Sequence, residues 1–283
     1  MVAGCANQVA SISSEPDASV AFAARSVPPT AVGDERADAA PNGQGRTPEP
    51  TSAGRACPDD MVEVEGDFCP EALEECLRWI DKDHQNPGGA VDPNMCAEFR
   101  SPSRCRSKER VPMHFCIDRY EWPNRPGEVP ATAMSWLEAK AACEGAGKRL
   151  CNGEEWTFAC EGEAMKPYPY GDGYHRDSSA CNMDVNPWMD PVATPFARLD
   201  KRTPSGAFAS CQSDTGVFDL TGNVDEWVYN ESGSPDHVPY VSGLMGGHWV
   251  HGVRNRCRAI TVTHEPHFSF YVTGTRCCTN ASD

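Results

Sequence analysis

The sequence predicts a compact, disulfide-rich domain with little regular secondary structure, and three observations carry that prediction. Fifteen cysteines are spread over 283 residues with no Cys-x-x-Cys pair. Short helical and strand patterns appear between Met61 and Cys160. Beyond residue 165, Gly, Pro, Asp and Asn are frequent and long periodic runs are few.

The cysteines decide the compartment. A disulfide scaffold and a metal-cluster protein are the two competing classes. Zinc and iron–sulfur sites usually show Cys-x-x-Cys pairs, so the irregular spacing favours disulfides and an oxidising location: periplasm, cell surface or secreted. The odd fifteenth thiol is expected at Cys5, because Val2-Ala3-Gly4-Cys5 resembles a bacterial lipobox. The basic and apolar regions that precede such a motif in a signal peptide are missing. Lipid on Cys5 would anchor the chain to a membrane.

Residues 1–56 are rich in Ala, Ser, Pro, Gly and Asp, and Phe22 is their only aromatic residue. Such a stretch buries too little apolar area to offset chain entropy, so a disordered tether is expected. The domain proper is expected over 57–283. The net charge is −16. An acidic surface repels phosphate backbones, which argues against a nucleic-acid partner. Mean hydropathy is −0.54, and no apolar run approaches the ~18 residues of a membrane span.

Element by element, Met61-Val62-Glu63-Val64 alternates as a half-buried strand does. Glu71 to Trp79 has spacing consistent with a short helix. The stretch 83–110, with Cys96 and Cys105, reads as a disulfide-pinned loop region. A helix is predicted from Ser135, whose capping-box partner is Glu138. Trp136, Ala139, Ala142 and Cys143 share one face, and Gly145 and Gly147 end the helix. A second helix starts at Asn152 with Glu155 at the matching position and carries Trp156, Ala159 and Cys160.

Four motifs then stand in order: Arg149-Leu150-Cys151-Asn152-Gly153-Glu154-Glu155-Trp156, Gly222-Asn223-Val224-Asp225-Glu226-Trp227, Gly246-Gly247-His248-Trp249 and Gly274-Thr275-Arg276-Cys277. Cys116-Ile117-Asp118-Arg119-Tyr120-Glu121 and Tyr168-Pro169-Tyr170-Gly171-Asp172 accompany them. The set resembles the formylglycine-generating enzyme, or sulfatase-modifying factor, family from about Cys116 to Cys278. Residues 66–111 match nothing in it and stand as a cysteine-containing insertion.

The resemblance implies an α+β, C-type-lectin-like fold with long irregular segments. It implies bridges from Cys143 to Cys277 and from Cys160 to Cys257. The second closes a loop of nearly a hundred residues, stabilising by roughly 4–5 kcal/mol in the chain-entropy account. Cys181 with Cys211 is a further expected pair that spacing does not fix.

The resemblance also implies calcium, held by the side chains of Asp219 and Glu226 and the carbonyls of Gly222 and Val224. Calcium takes six to eight oxygens, often mixing carboxylates with turn carbonyls. Asn182 belongs to a second, weaker calcium set. The resembling enzymes hold copper(I) with two cysteines between the third and fourth motifs, where soft thiolates select that metal. Here Cys257 alone lies in the corresponding segment, so copper is not expected; iron is not expected either, because the related iron enzymes take histidines partly from an extra helical domain that residues 1–56 cannot supply. His248, His251, His264 and His267 form two i,i+3 pairs, and a structural or surface role is the expectation for them. Glu154 and Glu155 suit a helix start. Trp156, Trp227 and Trp249 are expected in the core.

The expected function is a divergent, non-catalytic envelope protein that binds a ligand or partner. The alternative is a formylglycine-generating or other metal-dependent oxidase.

Overall fold

The computed structural model describes residues 55–80, 96–185, 199–250 and 254–282. Residues 1–54, with Cys5, the lipobox and most of the expected tether, lie outside the described residues, as does His251. The chain divides after Thr51, and Ser52–Asp283 contains everything described below.

Two four-stranded sheets and two short helices build this unit. The first sheet has the order β1-β6-β12-β7, from β1 (Met61–Phe68), β6 (Val111–Asp118), β12 (Cys277–Asn280) and β7 (Arg149–Leu150). All its pairings are antiparallel. The second has the order β10-β9-β8-β11, from β10 (Ile260–Thr261), β9 (Ser242–Met245), β8 (Asp225–Tyr229) and β11 (Thr273–Thr275). β8 and β11 run parallel, with Gly274 opposite Glu226. The alternation at Met61 extends through eight residues, with Val62, Val64 and Phe68 buried and Glu63, Glu65 and Asp67 exposed.

α1 (Trp136–Gly145) begins at the capping box of Ser135 and Glu138. Its end is held by Gly147, at φ +74°, and by the Lys148 amide donating to the Cys143 carbonyl (2.9 Å). α2 (Gly153–Glu161) starts where the Asn152 amide donates to Glu155 Oε2 (2.9 Å). Trp156, Phe158, Ala159 and Cys160 on α2 are buried in the main core with Val62, Phe115, Ile117, Leu220 and Met245.

The helix expected over 71–79 is absent. That stretch forms β2 (Ala72–Leu73), paired with β5 (Arg104–Cys105), and β3 (Cys76–Trp79), paired with β4 (Cys96–Phe99). Two bridges, Cys69–Cys105 and Cys76–Cys96, fasten these ribbons. Cys76–Cys96 cross-links β3 to β4, and Cys69, three residues before β2, is tied to Cys105 of β5, so extended backbone is held over a weak local helical spacing. The described residues 69–80 and 96–110 thus form bridged ribbons that follow β1 and precede β6 in the chain.

The fourteen described cysteines all pair. The remaining bridges are Cys57–Cys116, Cys143–Cys277, Cys151–Cys278, Cys160–Cys257 and Cys181–Cys211. Three of them join the α1–α2 region to the C-terminal segment across 134, 127 and 97 residues. Seven disulfides fit an oxidising, extracytoplasmic environment.

Candidate functional site

The ordered motifs meet in one buried polar hub beneath the turn 219–224. Glu226 and Arg276 are both buried and doubly bonded: Nε to Oε2 and a terminal nitrogen to Oε1, each at 2.6 Å. The Trp156 indole also donates to Glu226 Oε2 (2.7 Å). The remaining guanidinium reach is spent on the carbonyls of Phe218 (2.9 Å) and Asp118 (3.3 Å). Fully buried charges persist only when paired and hydrogen-bonded, and this pair is both.

Glu121 is the residue that sequence reasoning missed. Its Oε1 accepts from the Val224 amide (2.9 Å) and its Oε2 from the Asn223 side chain (2.6 Å). Burial, with Asp219 and Glu226 nearby, pushes its carboxyl well above the ordinary range. The signal was present: Glu121 closes the motif that begins at Cys116, yet nothing local says that it serves the turn a hundred residues on.

Asp219 is buried, and its Oδ2 accepts from the Gly206 amide (2.7 Å). Burial raises it to about 6. Gly222, at φ +79°, passes so close to Asn182 that a Cβ there would lie 2.5 Å from the Asn182 carbonyl oxygen. Only glycine fits such an approach. Asn182 spends its side-chain NH2 on the Lys201 carbonyl (2.9 Å) and on Asn223 Oδ1 (2.8 Å). Asn223 is the packing centre of the turn, also accepting from the Thr203 amide (2.9 Å). Of the expected calcium side chains, Glu226 is thus committed to Arg276 and Trp156, and Asp219 faces Gly206.

The segment after Gly246 lies over this hub. Gly247 has φ +67°, and a Cβ there would lie 2.8 Å from Asn255 Oδ1. Asn255 donates to the His248 carbonyl (3.0 Å). Trp249 is fully buried, and its indole donates to the Leu199 carbonyl (3.1 Å). Arg254 forks onto Asp225, one contact being 3.1 Å. Cys257 is bridged to Cys160. No free thiol lies in this segment among the described residues.

Of the described histidines, His248 and His264 both feel the charges of Asp225 and Arg254, and neither belongs to a group of three metal-ligating side chains. Burial pulls His248 below the ordinary imidazole range, and the same cause acts on the less buried His264. His264 stacks on Phe268 with centroids 4.0 Å apart, whereas His267 lines a separate groove with Trp136. An aromatic ladder runs along this face from His264 through Phe268, Phe270 and Tyr271 to Trp249. Phe270 is 48% exposed. Glu155 pairs with Arg149 at the start of α2 (2.6 and 2.7 Å). Trp156 and Trp227 are fully buried.

A shared hub of this kind, built from separated motifs, defines a family. The chain belongs to the family of sulfatase-modifying factor enzyme 1-like domains, whose sequence model matches residues 98–281. It is similar to the inactive C-alpha-formylglycine-generating enzyme 2 of Bos taurus, with 32% identity over 144 residues, 47% of this chain and 46% of that protein. Against the Mus musculus protein of the same name, identity is 30% over 169 residues, 54% of this chain and 52% of that one. The chain spans about half the length of these curated relatives. Among solved structures it is similar to CarF and to PvdO from Pseudomonas aeruginosa, each at 16% identity and a TM-score of 0.48. Both comparisons cover 80% of this chain, with 99% and 97% of the respective neighbours.

Proposed function

We propose that this chain is a non-catalytic sulfatase-modifying-factor-like protein that binds a ligand or partner at the cell envelope. One observation carries the reading: the only cysteine between Gly246 and Cys257 is locked to Cys160. A copper(I) site of the resembling kind needs two free thiolates, and thiol exchange with a substrate needs one. Every described cysteine is bridged, and Arg254 of this segment is paired with Asp225. The names of the two relatives point the same way. The exposed Phe270 and the half-buried rings of His264, Phe268 and Tyr271 beside it are the surface we assign to binding, since large aromatics supply contact area at low entropic cost. Anchoring through lipid on Cys5 belongs to the same proposal.

Calcium is proposed as a structural ion at the turn. Charge supports it, because the buried acids Glu121, Asp219 and Glu226 cluster about the guanidinium of Arg276. Asp219 with the Gly222 and Val224 carbonyls is the donor set. Glu226 fits least, since it would have to release Arg276. A second ion would use the Asn182 side-chain oxygen.

The test is incubation with copper and a Cys-x-Pro-x-Arg peptide, followed by mass spectrometry. No conversion is expected. A thiol-to-aldehyde mass loss with repeated turnover, or stoichiometric copper or iron in the purified protein, overturns the reading in favour of an oxidase.

A further inference from the structure

We propose that Glu63, Glu65 and His114 form a zinc-type divalent-cation site on the outer face of the β1–β6 pair. Side chains two residues apart share a face, so Glu63 and Glu65 project together while Val62 and Val64 enter the core. The antiparallel register then sets His114 directly opposite Glu65, and all three side chains are exposed. His114 Nε2 lies 2.8 Å from Glu63 Oε1. One donor atom from each residue lies within 4.8 Å of the others. Donors sharing a tetrahedral zinc ion at bond lengths of about 2.0–2.2 Å stand about 3.3–3.6 Å apart. The exposed carboxylates need only small rotations to close on a common centre.

The chemistry of the set selects the ion. One imidazole and two carboxylates suit zinc and similar borderline metals, whereas calcium and magnesium prefer oxygen alone. Two carboxylate charges neutralise a divalent ion beside a neutral imidazole. Among the described residues, no other group of three His, Cys, Asp or Glu brings its donors this close. The backbone holds the ligands in place before any ion arrives. β1 and β6 pair over eight positions, and Cys116, two residues beyond His114, is bridged to Cys57.

An adjoining recess of about 340 Å³ is lined by Glu65, Gly66, Asp67, Pro112, Met113 and His114. It gives the remaining coordination positions room for water or for a donor from another molecule. The site is independent of the turn at Asp219 and of the segment after Gly246, so its fate does not depend on the proposed function.

The full chain, stripped of metal with chelator, is titrated with zinc chloride against a chromophoric competitor. Cobalt(II) is used in parallel for its visible spectrum. One equivalent of zinc is expected, with affinity at least tenfold weaker in both His114→Ala and Glu65→Gln and a changed cobalt spectrum in each. Both substitutions are on an exposed strand face, and unchanged thermal midpoints in chelator confirm folding. Failure of the wild type to take up zinc overturns the proposal. Affinity unchanged in both variants, or lost with His248→Ala instead, overturns it as well.

Discussion

Glu226 and Arg276 are partners because their strands are neighbours. β8 and β11 run parallel with Gly274 opposite Glu226, and Arg276 follows two residues later on the way into β12. The pair is buried from water and bonded at 2.6 Å through both carboxylate oxygens. Trp156 closes it from α2. Three of the four ordered motifs therefore contribute to a single contact set, and their side chains serve the fold of the turn above them.

Breaking that pair is expected to be costly. Arg276→Met leaves Glu226 without its buried counter-charge, and losses of about 3–5 kcal/mol are typical of such breakage. Urea unfolding monitored by tryptophan fluorescence measures it. The double variant Glu226→Gln/Arg276→Met should lose less than the sum of the single changes. Strict additivity would mean that the two residues act separately.

A second buried acid makes stability depend on pH. Burial pushes Glu161 up to about 7 even though Arg258 donates to both its oxygens, through Nε and one terminal nitrogen. The unfolded value is near 4.5, so the folded state binds the proton more tightly. The group's contribution is full below about pH 4.5 and is lost as pH rises to about 7. Glu161→Gln keeps an acceptor for Arg258 without the charge. Its stability relative to the parent should rise across that window and level off above it. The gain is bounded at about 3 kcal/mol by 1.36 kcal/mol per pKa unit. A difference independent of pH would show that Glu161 titrates alike in both states.

The disulfide network sets the third expectation. Denatured, non-reduced protein should yield no labelled thiol between Cys57 and Cys278, leaving Cys5 as the only candidate. Mild proteolysis without reductant should remove residues before Cys57 and leave a resistant core. Reductant should lower the thermal midpoint strongly, since the bridges spanning 97 to 134 residues constrain the unfolded chain most. Several labelled thiols from the core would contradict the paired arrangement.

The parts of the fold that were legible in the sequence are those with local chemistry. The Ser135–Glu138 box and Gly147 delimit α1 because caps act within one turn. The strand at Met61 is betrayed by its period. The stretch Glu71 to Trp79 misleads because its conformation is imposed by Cys105 and Cys96, which lie some twenty to thirty-six residues away. The candidate site shows the same division. The turn residues 219 to 226 are visible as a motif. Glu121 and Arg276 complete the hub from a hundred residues before and fifty after, a distance at which spacing carries no information. The motif alone shows Glu226 as a carboxylate in a turn, and its bond to Arg276 is visible only in the structure.

Asp219 is the position at which a substitution reports calcium binding. Glu226→Ala would strand Arg276 and destabilise the domain with or without the ion, so it cannot report binding. Asp219→Asn is the discriminating change. It keeps an oxygen to accept from the Gly206 amide, now at 2.7 Å, while removing the charge that a hard cation requires. An ion that binds only the native chain stabilises by about 2.7 kcal/mol when present at a hundred times its dissociation constant. For a domain of this size, that is about 5–10 °C in the midpoint. Thermal unfolding in chelator and in millimolar calcium should therefore show a rise of that order in the parent and little or none in Asp219→Asn. Equal midpoints for the parent in both buffers would leave Arg276 as the cation that balances the turn, and the calcium proposal would fail.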